Sequence, residues 1–175
     1  MGRVLRVLGV ADRLTMPWKN GGGVTHELAR EGEGVAGFGV RLSVADVATD
    51  GPFSRFPGVD RVILMLHGGG FRLRRDDGHT VTIDRPHAPF AFVGEDVWDC
   101  ALLDGPVVDF NVMTDRATRR AEVAVGGPGA VDGRWLLALV DQAVEGLPVA
   151  AGDLVEAEGA VTVTGTVVVV RVRAV

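Results

Sequence analysis

Residues 107–113 read VVDFNVM, a stretch in which apolar and polar side chains alternate. Successive side chains of an extended chain point to opposite faces. One face of this stretch would be formed by Val108, Phe110 and Val112. The opposite face would be formed by Asp109, Asn111 and Met113. The period of two therefore predicts a β-strand with one apolar face and one face that carries two polar groups.

The same period recurs along the chain. Arg41 and Ser43 oppose three apolar residues: Val40, Leu42 and Val44. Further strands are predicted at VILML (62–66), TVTIDR (80–85), PFAFVG (89–94) and the tail AVTVTGTVVVVRVRAV (160–175). Helical periodicity is weak, and only RATRRAEV (116–123) and RWLLALVDQAV (134–144) are candidates, the second reading better as a strand followed by a turn.

Composition narrows the protein class. The chain has 175 residues, 47% of them hydrophobic, and 25 glycines that separate short valine-rich segments. Many short strands joined by glycine turns are typical of an all-β sandwich or barrel. We expect an ordered loop at DGPFSRFPGVDR (50–61) and a joint at GGPG (126–129). The joint would separate a larger part, about 1–125, from a smaller one, about 130–175, and both would pack as one body.

The net charge, the lack of a long apolar run and the single cysteine narrow the expected partners and location. The formal net charge is -5 with no concentrated basic face, which argues against nucleic-acid binding. No apolar run is long enough for a signal peptide or a membrane span, so a cytoplasmic location is expected. A single cysteine, Cys100, allows no intramolecular disulfide and predicts a buried apolar group in a strand.

The candidate chemical sites are few. The glycine triplets Gly21–Gly23 and Gly68–Gly70 lack the lysine and helix that follow a phosphate-binding loop, which favours turns. The histidines form no His-x-His pair, so no bound metal is expected. No other cofactor is predicted. No triad is indicated either, because no serine lies in a Gly-x-Ser-x-Gly elbow.

Polar residues on apolar strands leave two interpretations open. In the first, Arg41 pairs with a carboxylate such as Asp109 and the network is structural. In the second, Arg41 and Asn111 join Lys19 and Asn20 around a small anionic or amide-bearing ligand. The residues alone do not decide between them.

Three blocks resemble the HutD/Ves family: PWKNGGGVTHELAR (17–30), RLSVADVATDGPFSRFPGVDR (41–61) and CALLDGPVVDFNVM (100–113). The resemblance implies one bicupin-like domain over 1–175, all-β, with two small and mostly antiparallel β-barrel units. It also implies that the metal-binding cupin histidine motif is absent, and a regulatory role in histidine utilisation or stress response. One departure is Val40, where family members commonly have tryptophan.

On this basis we expect a metal-independent small-molecule-binding protein. Lys19 and Arg41 would attract a carboxylate, Asn20 and Asn111 would hydrogen-bond its other polar groups, Trp18 would wall the pocket, and Ser43 and Asp109 would orient their neighbours. The alternative is a metal-independent cupin enzyme (isomerase, lyase or hydrolase) with Lys19 as base and Asp109 as its partner. A third reading is a partner-binding protein, a homodimer for instance, that uses residues 166–175 as an exposed sheet edge.

Overall fold

A computed structural model gives the fold of residues 2–175, in which the chain forms two compact units. The central unit is Leu14–Arg120 with Val175, and the terminal unit joins the residues up to Arg13 to Ala121–Ala174. The described residues form nineteen β-strands and one short 3-10 helix, Val10–Asp12. No helix within them is long and apolar enough to cross a membrane.

A six-stranded antiparallel sheet dominates the central unit. Its strands are β2 (Leu14–Pro17), β3 (Gly23–Glu31), β4 (Val40–Val47), β6 (Val59–His67), β9 (Phe90–Val93) and β11 (Val107–Asp115). Their order is β2-β3-β4-β11-β6-β9, so the stretch that contains VVDFNVM lies inside the sheet between β4 and β6. Strands in this position have neighbours on both edges, which suits the high β propensity of their valine and phenylalanine side chains.

The second sheet of the central unit has four strands. These are β5 (Gly51–Pro52), β7 (Phe71–Arg75), β8 (Thr80–Ile83) and β10 (Trp98–Leu102), in the order β5-β10-β7-β8. Side chains from both sheets form one apolar core that contains Ile63, Met65, Phe71, Leu73, Trp98 and Cys100. The core accounts for the continuous apolar run at 62–66, since β6 is largely buried on both faces.

The terminal unit also contains two antiparallel sheets. The first has the order β1-β17-β14-β19-β12, with β1 (Arg3–Leu8), β12 (Arg119–Gly126), β14 (Trp135–Ala138), β17 (Leu154–Glu158) and β19 (Val167–Ala174). The second has the order β13-β18-β15-β16, with β13 (Gly129–Asp132), β15 (Gln142–Val144), β16 (Leu147–Val149) and β18 (Ala160–Val163). Its core is rich in valine, the residue that the glycine-separated segments supply.

The all-β prediction and the predicted strands are confirmed, and the expectation of barrels is wrong in one respect. The sheets of each unit stay separate and do not close, so the architecture is cupin-like without closed barrels. The connecting loop of 50–61 is present, with β5 at its start and β6 beginning at Val59.

The helical candidate at 116–123 is wrong. Asp115 Oδ1 accepts hydrogen bonds from the Ala117 amide at 3.0 Å and the Thr118 hydroxyl at 3.3 Å. These bonds close a turn, and the chain continues as strand β12 from Arg119. A short polar side chain that bonds its own backbone in this way competes with helix formation.

The expectation that residues 166–175 form a sheet edge is also wrong. β19 lies between β14 and β12 and therefore has a strand on each side. Its four consecutive valines are buried, as a paired interior strand requires. The argument for a homodimer from an exposed edge strand therefore fails, and the homodimer stays a prediction.

Candidate functional site

The central unit holds a cavity of about 470 Å³. It is lined by all seven residues that the sequence analysis named: Trp18, Lys19, Asn20, Arg41, Ser43, Asp109 and Asn111. Arg61, Phe53 and Phe56 line it as well. The volume lies within the range of about 300–1,000 Å³ usual for small-molecule sites.

Strand register brings the polar residues of β4 and β11 together. Ser43 is opposite Asn111, and Ala45 is opposite Asp109. Every second side chain of each strand therefore points to the cavity. Arg61 on β6 is opposite Met113 and shares this face. The predicted alternation of 107–113 is thus the reason that Asp109 and Asn111 reach one site.

The β2–β3 turn supplies the other wall. The Trp18 amide donates to the Gly23 carbonyl at 2.9 Å, and the Gly21 amide donates to the Trp18 carbonyl at 3.0 Å. Gly21 has a φ of 72°, a conformation that favours glycine, which confirms the turn reading of this triplet. The Trp18 indole donates to Thr25 Oγ1 at 2.8 Å, which fixes the ring against the cavity.

The side chain of Asn20 takes part in the same turn through one hydrogen bond. Its Oδ1 accepts a hydrogen bond from the Gly22 amide at 2.9 Å. The side-chain NH₂ group of Asn20 remains to donate. Ser43 is a buried residue of the lining, and its hydroxyl is not among the enclosed polar atoms without a partner within residues 2–175.

Arg41 does not pair with Asp109, so the structural network considered from the sequence is wrong. Its Nε donates to Glu27 Oε2 at 2.7 Å, and these two side chains are 16% and 12% exposed. Glu27 lies on β3 opposite Ser43, a position that the strand pattern around Arg41 did not reveal. The Arg41 Nη groups have no acceptor among residues 2–175, and Arg41 lines the cavity.

Arg61 is a buried cation that the sequence analysis did not single out. Only 7% of the residue is exposed, and its guanidinium lies 4.8 Å from the centroid of the Phe92 ring and 5.5 Å from that of Phe56. Burial lowers the pKa of Arg61 to about 10, against the raising effect of Asp109. The side chain is therefore still charged at neutral pH.

Some N–H donors of the Arg61 guanidinium have no acceptor within residues 2–175. A guanidinium carries five N–H groups. Within residues 2–175 two of them have an acceptor, the Ser54 carbonyl at 3.1 Å and Asn111 Oδ1 at 2.9 Å. Neither acceptor is a carboxylate, and Arg61 forms no ion pair within residues 2–175.

Asp109 is the acidic group of the cavity. It is 2% exposed, and its Oδ1 accepts a hydrogen bond from Asn111 Nδ2 at 2.5 Å. Burial raises the pKa of Asp109 to about 7, with a further increase from Asp46 and opposing effects of Arg61 and Asn111. The carboxyl therefore titrates in the neutral range.

The remaining candidates lie outside the cavity. Cys100 is buried as predicted, and burial raises the pKa of its thiol to about 12, which makes it a poor nucleophile. No histidine lines the cavity. Among residues 2–175 no group of three His, Cys, Asp or Glu side chains is arranged to hold a metal ion.

One sequence signal did point to Arg61. Val59, Arg61 and Ile63 alternate along β6 and all three are buried. The strand prediction began at residue 62, after the arginine, so Arg61 was left in the preceding loop. An arginine in phase with buried residues is the signal that would have identified it.

Comparisons with known proteins agree with this architecture. The HutD family model matches residues 10–159. The chain belongs to the HutD family. Structure comparison pairs it with HutD from Pseudomonas fluorescens SBW25, at 31% identity and a TM-score of 0.88 over 97% of this chain and 98% of that one.

Two curated relatives cover a shorter segment. An uncharacterized 21.2 kDa protein from the hutC 3' region of Pseudomonas putida is 47% identical over 110 residues, which are 62% of this chain and 57% of the relative. Protein Ves of Citrobacter koseri is 40% identical over 109 residues, which are 62% of this chain and 56% of the relative. The match spans little more than half the length of these relatives. The predicted family and cupin-like fold are confirmed.

Proposed function

We propose that the HutD-family cavity is a metal-independent binding site for a small carboxylate-bearing metabolite, and that binding serves a regulatory role. The observation that carries the proposal is Arg61, a buried guanidinium with no carboxylate partner within residues 2–175 and with unused N–H donors. Burying a charge without a partner is costly, so a site of this kind is stabilised by an incoming anion.

The rest of the cavity suits such an anion. Arg41 presents its Nη groups, and Lys19, an exposed residue, is the third cation of the lining after Arg61 and Arg41. Arginine forks match carboxylate geometry and give charge-assisted hydrogen bonds. The Ser43 hydroxyl and the Asn20 NH₂ group offer neutral partners for the other polar atoms of the ligand.

Family resemblance suggests the ligand class. One relative is described by its place in the hutC 3' region and another is HutD itself, which favours a histidine-utilisation role over a stress response. The candidates are urocanate, N-formimino-glutamate and N-formyl-glutamate, each of which carries a carboxylate.

Titration calorimetry with N-formyl-L-glutamate and urocanate tests the proposal. We expect binding to the wild-type protein, weakened about 10- to 100-fold in Arg41→Gln and Arg61→Lys, since a charge-assisted hydrogen bond contributes roughly 1.5–3 kcal/mol. Arg72→Gln is the control, because Arg72 is an exposed strand arginine outside the lining. Absence of binding at millimolar concentration, or equal affinity in all variants, would refute the proposal.

The cavity acid favours one second candidate, a metal-independent enzyme that transfers a proton on the same ligand. A carboxyl with a pKa of about 7 is suited to general acid–base work. Proton NMR of each compound with the protein would show turnover. Turnover that is lost in Asp109→Asn and in Lys19→Met would replace the binding function by the catalytic one.

A further inference from the structure

Three side chains at the cavity form a directed hydrogen-bond chain. Arg61 Nη2 donates to Asn111 Oδ1 at 2.9 Å, and Asn111 Nδ2 donates to Asp109 Oδ1 at 2.5 Å. The amide of Asn111 has one end that accepts and one that donates, so the arginine fixes which end meets Asp109. Oδ1 of Asp109 is consequently an acceptor in this arrangement.

The second oxygen of Asp109 has a different environment. Oδ2 accepts no hydrogen bond within residues 2–175, yet it is not among the enclosed polar atoms without a partner, as Arg61 Nε is. Because Asp109 lines the cavity, Oδ2 is the oxygen that an occupant can reach. A proton on this carboxyl would sit on Oδ2, since Oδ1 already receives the amide proton.

The groups that influence the ionisation of Asp109 come from four strands. Arg61 on β6 is the nearby cation, Asn111 on β11 donates, Asp46 on β4 repels, and the Cys100 thiol on β10 is neutral. His26 on β3 acts at one remove, since its Nε2 lies 2.7 Å from Asp46 Oδ2. Arg61 is the charge that lowers the pKa of Asp109, while Arg41 and Lys19 line the same cavity. A bound carboxylate would neutralise the effect of Arg61.

We propose that Asp109 takes up a proton from solvent when an anion binds beside Arg61, and then donates its Oδ2–H to an oxygen acceptor of the ligand. This inference rests on the proposed carboxylate site and names Asp109 as its specificity-determining residue. Arg61 and Asp109 both line the cavity and are joined through Asn111. The site therefore selects a carboxylate that also carries a carbonyl or second carboxylate oxygen, and disfavours an N–H donor at Asp109.

The electrostatics support this direction of coupling. The Asp109 carboxyl, whose pKa is already about 7, loses part of the stabilising field of Arg61 when an anion arrives. Two negative groups in one buried cavity repel each other, and protonation removes the repulsion. The ligand affinity is then linked to pH through this one group.

Calorimetry of N-formyl-L-glutamate binding in pairs of buffers with different ionisation enthalpies counts the protons taken up. Both carboxyl groups of this probe titrate below about pH 5, so its charge is constant from pH 6 to 8.5. We expect uptake approaching one proton per ligand at pH 8, and an affinity that falls by up to tenfold per pH unit above about pH 7.

Asp109→Asn and His26→Gln are the paired variants. The asparagine presents a neutral donor in place of the carboxylic acid, so we expect binding without proton uptake and with a flat pH profile. His26→Gln should keep the wild-type profile. The wild-type proton count stands by itself if a variant does not fold.

Three other results of these calorimetric experiments would contradict the inference. Binding with no proton exchange, or with affinity that rises with pH, overturns the role of Asp109 and leaves the carboxylate site intact. Loss of uptake in His26→Gln assigns the proton to the histidine. No binding of any carboxylate removes the proposed function and the inference with it.

Discussion

Arg61 and Asp109 show how a buried pair of opposite charges can avoid a direct ion pair. Asn111 stands between them and bonds to both. A direct pair would satisfy the guanidinium within the protein and leave little attraction for an anion. With the amide interposed, the cation stays available and the acid titrates near neutral pH.

Substitution of Asp109 should change how stability depends on pH. The pKa of Asp109 is raised to about 7 in the folded protein, against about 4 in an unfolded chain. Between these values the folded state binds more protons, so this residue's contribution is complete below about pH 4 and is lost as pH rises through 7. Asp109→Asn should therefore gain stability relative to wild type from pH 5 to 7, by roughly 1.4 kcal/mol per pH unit.

Urea unfolding at several pH values measures this difference. Asp77→Asn is the control, since Arg75 lowers the pKa of the exposed Asp77 carboxyl to about 2. Residue 77 therefore keeps one charge state from pH 5 to 8, in the wild-type protein and in the variant alike. A flat difference for Asp109→Asn over the same range would show that Asp109 is ionised throughout.

At the scale of elements, the period of two predicted which residues of β4 and β11 share a face, because parity follows from strand geometry alone. It could not predict register. Arg41 meets Glu27 because Glu27 is opposite Ser43, two residues from Arg41, whereas Asp109 is opposite Ala45, four residues away. The match of residues 17–30 to a known family led to the prediction that Trp18 lies at a pocket, and Trp18 lines the cavity. No local pattern in that stretch indicates this position.

The β2–β3 hairpin has a glycine that its packing requires. A Cβ at Gly23 would collide with the Asp46 carbonyl oxygen and lie 3.0 Å from the Trp18 ring. Gly23→Ala should lower the free energy of unfolding by about 1–3 kcal/mol, the usual cost of overpacking, and weaken ligand binding because Trp18 moves. Gly51→Ala is the matched control, since a Cβ there meets no atom within 4 Å. Equal unfolding curves for the two variants would contradict this packing account.

At the scale of the whole molecule, the order of the strands lies beyond what the sequence predicts. β1 pairs with β17, so Arg3 is opposite Glu158, and the pattern of the first thirteen residues gave no sign of this partner. Long-range antiparallel pairing depends on the complete core, which local alternation does not encode. The strand content, by contrast, was predictable because the alternation within each segment reflects the burial of that segment alone.

Cys100 reports on the central unit as a whole. The thiol is buried in the core between its two sheets and has a pKa of about 12, so it should react with a disulfide reagent only when the unit opens. A ligand that binds the folded unit should slow the labelling by the factor 1 + [L]/Kd, about 100-fold at 100 times Kd. Labelling of native protein at the rate of a free thiol, or a rate indifferent to a ligand that binds, would contradict this arrangement.

A crystal structure of the complex with N-formyl-L-glutamate tests the central claim most directly. We expect a ligand carboxylate about 2.7–3.2 Å from a guanidinium nitrogen of Arg61 or Arg41, and a second ligand oxygen at hydrogen-bond distance from Asp109 Oδ2. A ligand bound outside the cavity, or inside it with its carboxylates turned away from both arginines, would contradict the carboxylate-binding function.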